Sequence, residues 1–176
     1  GLTGGTVGDV AQISATRKAY SMLGKDPSRY RPSAESLMRR LTQGKGIYRI
    51  NNVVDTNNLI SLKTGFSIGT YDVKSLEPPI VFRVGKTDEG YKAIGRGRLN
   101  LENLPIFVDG AGPFGSPTSD SERSLISMDT DQLLMVIIGF GETPDISAAI
   151  EFAAERLRLF CHARSLISDI ATNRPL

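Results

Sequence analysis

The stretch "NNVVDTNNLISL", residues 51–62, sets four asparagines and an aspartate among apolar residues. A carboxamide carries both donors and an acceptor, and burying one without partners costs about 1–3 kcal/mol. Amides in such a segment either tie a helix to its neighbours or line a pocket that holds the polar atoms of a ligand. At about 100° per residue, Thr56 and Lys63 fall together on one side of a helix. Asn57, Asn58, Val54, Ser61 and Leu62 fall opposite, with Asp55 beside Leu62. The spacing predicts that Thr56 and Lys63 meet solvent while Asn57 and Asn58 share the inward face.

A second concentration of chemistry lies in "VDGAGPFGSPTSDSERSLISMDT", residues 108–130. A strand is expected to end at Asp109, followed by a Gly/Pro/Ser loop of about a dozen residues, long for a connection within a compact domain. Gly112 and Gly115 let backbone N–H groups approach a ligand closely, and Asp120, Ser121, Glu122 and Arg123 supply charge and hydroxyls. A flexible surface loop accounts for the same composition.

Other chemistry is excluded by what the chain lacks. With a single cysteine, Cys161, and a single histidine, His162, it has no internal disulfide, thiolate metal cage or multi-histidine site. No metal or cofactor is expected. "VGKTDEG" lacks the earlier glycine of a phosphate-binding loop and no helix follows it, and "GRGRL" fits a turn as well as a phosphate contact. The composition, 40% hydrophobic and 23% charged, is that of a soluble globular protein. The longest apolar run, Leu133–Ile138, falls well short of the ~20 residues that span a bilayer. The cytoplasm is the expected compartment.

The net charge of +2 conceals an asymmetry. Residues 1–50 hold nine Lys/Arg against three Asp/Glu, and the remainder hold twelve against sixteen, so +6 is joined to −4. An anionic partner such as RNA suits the basic part, as does an ordinary solvated surface.

The elements that must position these residues follow from period and punctuation. Two short helices are expected around a proline-marked loop, one near Ser14–Leu23 stopping at Gly24, the other opening at an N-cap Ser33 and ending near Gly44. Leu37 and Leu41 would give the second its apolar side, with Arg39, Arg40 and Lys45 left for solvent or a partner. The asparagine helix should run from about Asn52 to Thr64, with Gly65 as its left-handed stop. "PPIVFRVG", "GYKAIGRGRL", "NLPIFVDG", "ERSLISM" and "QLLMVIIGF" read as strands, the last apolar throughout and so central. Residues 143–170 read as one long amphipathic helix, capped by Thr143, with Pro144 in its first turn. Ile146, Ala149, Ile150, Ala153, Leu157 and Phe160 form its buried stripe. Helices, then strands, then a covering helix argue α+β rather than βαβ alternation.

At the two chemical stretches the sequence resembles the editing domain, the third and fourth modules, of the bacterial phenylalanyl-tRNA synthetase beta chain. There an Asn-Asn/Val-Val-Asp block leads through a Thr-Asn pair to an aromatic-Asp end. "INNVVDTNNLISLKTGFSIGTYD" keeps that spacing without a gap between residues 50 and 72. With "GKDPSRYRPSAESLMRR" before it and "DGAGPFGS…SDSERS" after it, the chain is similar to freestanding proteins made of this domain alone. Nothing in it resembles the class II catalytic core, so ligase activity is not expected.

The resemblance implies a three-layer β/β/α arrangement with helices at the N-terminus and one long C-terminal helix. Residues 1–176 would form a single domain, with 1–48 a basic helical arm packed on it. It also implies a trans-acting factor that binds tRNA and hydrolyses the ester of a mischarged aminoacyl-tRNA. Such a reaction needs an ester held, its carbonyl polarised and a water placed, with neither metal nor nucleophile.

Asn58, Asp120 and Ser121 are then the expected catalytic residues, and Asn57, Gly69, Gly112, Gly115, Arg123 and Val136 the substrate-binding ones. Lys18, Arg29, Arg31, Arg39 and Arg40 would contact tRNA phosphates, and Tyr20 or Tyr30 would stack on an end base. The family's Thr-Asn pair falls on Asn57 and Asn58, its histidine on Gly69 and its tyrosine-reading glutamate on Val136. The loss of both polar readers points away from tyrosine and toward a smaller or less polar aminoacyl group. Two rivals remain: a non-catalytic module that binds tRNA or an amino-acid-like ligand, and a hydrolase of small esters on a retained pocket.

Overall fold

Helix α3 spans Asn52–Thr64 in the computed structural model, which describes residues 6–143 and 145–172. Both of its ends have a chemical cause. The Asn51 side chain accepts from the Val54 N–H at 2.9 Å, satisfying a donor of the first turn. Gly65 turns left-handed at φ 80° to stop the last.

After this stop the chain enters β1, Ser67–Asp72, which pairs antiparallel with β7, Leu133–Ile138. Successive side chains of the ladder point to opposite faces. On one face Ile68 packs with Ile60 and Phe66, and with Ala149 and Ala153 of helix α4, Ile146–Cys161. On the other, Tyr71 and Ile138 pack with Phe107 and Phe114. Those two phenylalanines belong to a second antiparallel sheet, ordered β2 (Val81–Val84), β5 (Pro105–Asp109) and β6 (Gly112–Gly115). The result is three layers: helices, a two-stranded ladder, and a three-stranded sheet.

A small hairpin of β3 (Gly90–Lys92) and β4 (Arg98–Asn100) brings Tyr91 and Leu99 into a further core with Leu101, Leu104, Ile106 and Tyr20. Tyr20 belongs to α1, Ala11–Met22, and α2 follows at Ser33–Thr42. Ile13 and Ala34 pack these two helices together with Val7.

Several expectations are corrected. Pro32, not Ser33, occupies the cap position of α2, and the Ser33 N–H donates instead to the Pro117 carbonyl at 2.8 Å. The buried side of α2 is formed by Ala34, Glu35 and Met38, while Leu41 is 52% exposed. Thr56 is buried because the last turn of α4 covers it, with Cys161 Sγ 3.5 Å from its hydroxyl. "ERSLISM" is not a strand. The Ser121 hydroxyl accepts from the Arg123 N–H and the Ser124 hydroxyl donates to the Phe114 carbonyl, which sets a 3₁₀ turn at Glu122–Ser124 instead.

Part of the expected Gly/Pro/Ser loop is strand β6, held in register by Asp109 opposite Gly112. Strand β7 lies in the middle layer yet has one hydrogen-bonded neighbour among the described residues. Its apolar run reports cover on both faces rather than on both edges. Helix α4 stops at Cys161, where His162 adopts φ 55°, and residues 163–172 carry no helix or strand. Phe160 is consequently 44% exposed. Asp145 precedes α4, and Thr143 contributes its carbonyl, which accepts from the Ile146 N–H at 3.1 Å. Pro144 lies outside the described residues.

Candidate functional site

Thr70 and Tyr71 are neighbours in β1 and so point to opposite faces of the ladder. On the helix side, Thr70 Oγ1 donates to Asn57 Oδ1 at 2.8 Å. On the sheet side, the Tyr71 hydroxyl donates to Asp120 Oδ1 at 2.8 Å, where the Ser116 N–H also arrives at 3.3 Å. The ladder therefore stands between Asn57 and Asp120, which line different sides of it. Asn58 is half-buried and makes no side-chain hydrogen bond among the described residues.

Gly69 and Val136 face each other across the β1–β7 ladder. The space above Gly69 is taken, because a Cβ there would collide with the Tyr71 hydroxyl, and so would one at Gly115. Two glycines from two sheets thus make room for one phenol. Its ring meets Phe114 edge-on at 4.8 Å and Phe107 at 6.2 Å, contacts that add about 1 kcal/mol each beyond area burial. Burial pushes the Asp120 carboxyl up to about 7, against the opposing pull of hydrogen bonds from Tyr71 and Ser116. Burial, then the Asp120 charge, drives the Tyr71 hydroxyl well above its ordinary range.

The loop that follows β6 is anchored by tyrosines. Tyr91 donates to Ser116 Oγ at 3.1 Å, Tyr20 shares a hydrogen bond with Thr118 Oγ1 at 2.9 Å, and Tyr71 holds Asp120. Three buried phenols thus tie down residues 116–120. Sequence reasoning missed Tyr71 and Tyr91 as loop anchors. The available signal was the pairing of polar-tipped aromatics, which need partners when buried, with a hydroxyl-rich loop. Tyr20 is fully buried and cannot stack on a base; Tyr30 is half-buried with Lys25 Nζ 3.8 Å from its ring centre.

Arg123 also bonds within the protein. Its guanidinium forks onto Asp109 at 3.2 and 2.8 Å and donates to the carbonyls of Ser75 and Gly112. Burial opposes the charge on Asp109, but Arg123 and the N–H groups of Glu77 and Ala111 outweigh it, holding the carboxyl below its usual range. Ser121 is buried at the start of the 3₁₀ turn, and Gly112 makes the β5–β6 corner at φ 112°.

Of the basic residues, Lys18 and Arg29 are exposed. Arg40 lies over the Tyr48 ring at 3.8 Å, and Arg31 and Arg39 converge with Arg17 on the buried Glu35. Among the described residues, no three His, Cys, Asp or Glu side chains are placed to hold a metal ion, and no helix is long and apolar enough to cross a membrane.

Residues 15–159 match the family model of the B3/4 domain. The chain belongs to the B3/4 domain family. Among solved structures, an N-terminal fragment of the phenylalanyl-tRNA synthetase beta-subunit from Pyrococcus horikoshii has a similar fold. The two are 16% identical, with a TM-score of 0.54 over 65% of this chain and 42% of that one. This B3/4 domain thus spans less than half of that fragment, and at such identity the likeness is one of fold. No curated protein matches the chain. The resemblance carried by "INNVVDTNNLISLKTGFSIGTYD" and the three-layer α+β arrangement hold at the level of family and fold.

Proposed function

We propose that this B3/4 domain binds the acceptor end of an aminoacyl-tRNA and hydrolyses the ester of a mischarged amino acid in trans. The observation that carries the reading is Asn58. Its neighbour Asn57 is held by Thr70, whereas the Asn58 carboxamide is half-buried and uncommitted, as a group waiting for a ligand would be. An amide N–H in that position can polarise an ester carbonyl, and its oxygen can orient a water. Support also comes from the family and from a fold shared with a synthetase beta-subunit fragment. Gly69 and Val136 face the filled Tyr71 side of the ladder, so the preference for a small or apolar aminoacyl group rests on the sequence resemblance.

One observation favours a second reading, a tRNA-binding module without turnover. Tyr71, Phe107 and Phe114 fill the space between the two sheets, and Asp120 is sealed within it. A panel of mischarged tRNAs separates the two. Under the first reading at least one ester is lost faster with protein than without, and Asn58→Ala slows that loss roughly 100-fold while RNA binding persists. No acceleration across the panel, with tRNA still bound, establishes the second. Salt-insensitive turnover of free amino-acid esters instead marks a small-ester hydrolase.

A further inference from the structure

Glu35 is fully buried, yet three arginines from three segments reach it. Arg17 of α1 donates from Nη1 to its two oxygens at 3.1 and 2.9 Å. Arg39 of α2 donates from Nε at 2.8 Å, and Arg31, on the connection between the helices, places Nε 3.7 Å away. A single carboxylate balances only one of three guanidiniums, so two positive charges remain fixed at one place. Like charges held this close repel unless an anion joins them.

Arg31 shows where that anion would go. Its Nε lies beyond hydrogen-bond reach of Glu35 and is buried with no partner among the described residues. The carboxylate is shut off from solvent, but the guanidinium side chains are 28%, 41% and 40% exposed for Arg17, Arg31 and Arg39. Outer N–H groups are therefore open, while Arg17 Nη1 and Arg39 Nε are anchored on Glu35. Planar guanidinium forks match the tetrahedral oxygens of phosphate in pairs, and anchoring lowers the entropy lost when they bind it. The supporting helices are themselves fixed, since Ile13, Tyr20 and Ala34 are buried in two cores.

We infer that Arg17, Arg31 and Arg39 form a phosphate-binding site and that Glu35 is the residue that positions them. The occupant is a phosphate of the RNA backbone, which rests on the function proposed above. Arg40 on the same helix continues the basic surface beside the exposed Tyr48.

The test uses the full chain with unfractionated tRNA, read by fluorescence anisotropy at several salt concentrations, and with inorganic pyrophosphate, read by thermal shift. Glu35→Gln decides between a built site and diffuse charge. It makes the protein more positive, so diffuse attraction would tighten RNA binding, whereas loss of the organiser weakens it. Arg31→Gln guards against misfolding, because the Arg17 and Arg39 bonds to Glu35 survive it. Its melting temperature should be unchanged or raised, its tRNA affinity roughly tenfold lower, and its salt slope smaller by about one. The inference is overturned if Arg31→Gln and Lys86→Gln, an exposed lysine on the turn after β2, weaken binding equally. It is also overturned if folded Glu35→Gln binds more tightly. If the parent ignores tRNA but is stabilised by pyrophosphate, and Arg31→Gln abolishes that, the site stands for free phosphate and the tRNA reading falls. If neither probe binds, both fall.

Discussion

Tyr71 and Asp120 share a hydrogen bond in a space closed by Phe107 and Phe114, and the cost of charge there has a measurable sign. With its carboxyl raised to about 7, Asp120 keeps its proton in the folded state while the unfolded chain has lost it. Between about pH 4 and 7 the folded state binds the extra proton, so stability falls as pH rises through that window. Asp109 is shifted the other way and acts below that window. Asp120→Asn retains an oxygen for Tyr71 and Ser116, and it should flatten the decline, worth up to about 4 kcal/mol. Urea melts at pH 4.5 and 8 check this; an unchanged difference between them refutes it. The same crowding explains Gly69. Gly69→Ala drives a methyl into the Tyr71 hydroxyl and should cost about 2 kcal/mol. Part of that cost should vanish in a Tyr71→Phe background, so a double-mutant cycle should show non-additivity. Additive losses would mean that the phenol does not sit over Gly69.

At the scale of elements, Arg123 joins the turn at Glu122–Ser124 to the end of β5, and the carbonyls of Ser75 and Gly112 complete its set. Arg123→Ala leaves the buried Asp109 carboxylate without its cation. It should cost about 2 kcal/mol in a urea melt and raise amide exchange at Glu77 and Ala111. A purely substrate-binding arginine would leave stability unchanged.

The contrast between α3 and β6 shows what could be read from sequence. Helix α3 was legible over Asn52–Thr64 because its period and Gly65 stop are local chemistry. Strands β1 and β6 were not, since "SIGTYD" and "GPFG" carry glycines that weaken any strand signal. Gly69 and Gly115 are explained only by Tyr71, whose phenol packs against both, whereas Gly112 serves the β5–β6 corner at φ 112°. For the site, helical phase predicted that Asn57 turns inward, but no local rule told that the β1–β7 ladder would separate it from Asp120. Thr56 failed for a related reason: the cover from α4 comes from a hundred residues away in sequence.

For the molecule as a whole, the division of charge does not coincide with a division of structure. The basic first fifty residues look separable by composition, but their helices close the cores of the acidic remainder. Tyr20 is fully buried among Tyr91, Leu101, Leu104 and Ile106, and its hydroxyl reaches Thr118. The Ser33 N–H and the Tyr30 carbonyl bind the same loop at Pro117 and Thr118. Removing one large buried aromatic costs about 3–5 kcal/mol, against a total stability of roughly 5–15 kcal/mol for a domain. Deleting α1 and α2 also removes the contacts of α2 with β1 and α3. A chain starting at Arg49 should therefore lack a cooperative thermal transition and expose apolar surface, rather than persist as a folded body that has lost only RNA affinity. Circular dichroism melts with dye binding make the comparison. A sharp transition in the shortened chain would show that the basic helices are an appended arm. Its absence, with the full chain melting cooperatively, means that any anion bound by Arg17, Arg31 and Arg39 acts on the stability of the whole fold. A ligand at 100 times its Kd should then raise that stability by about 2.7 kcal/mol.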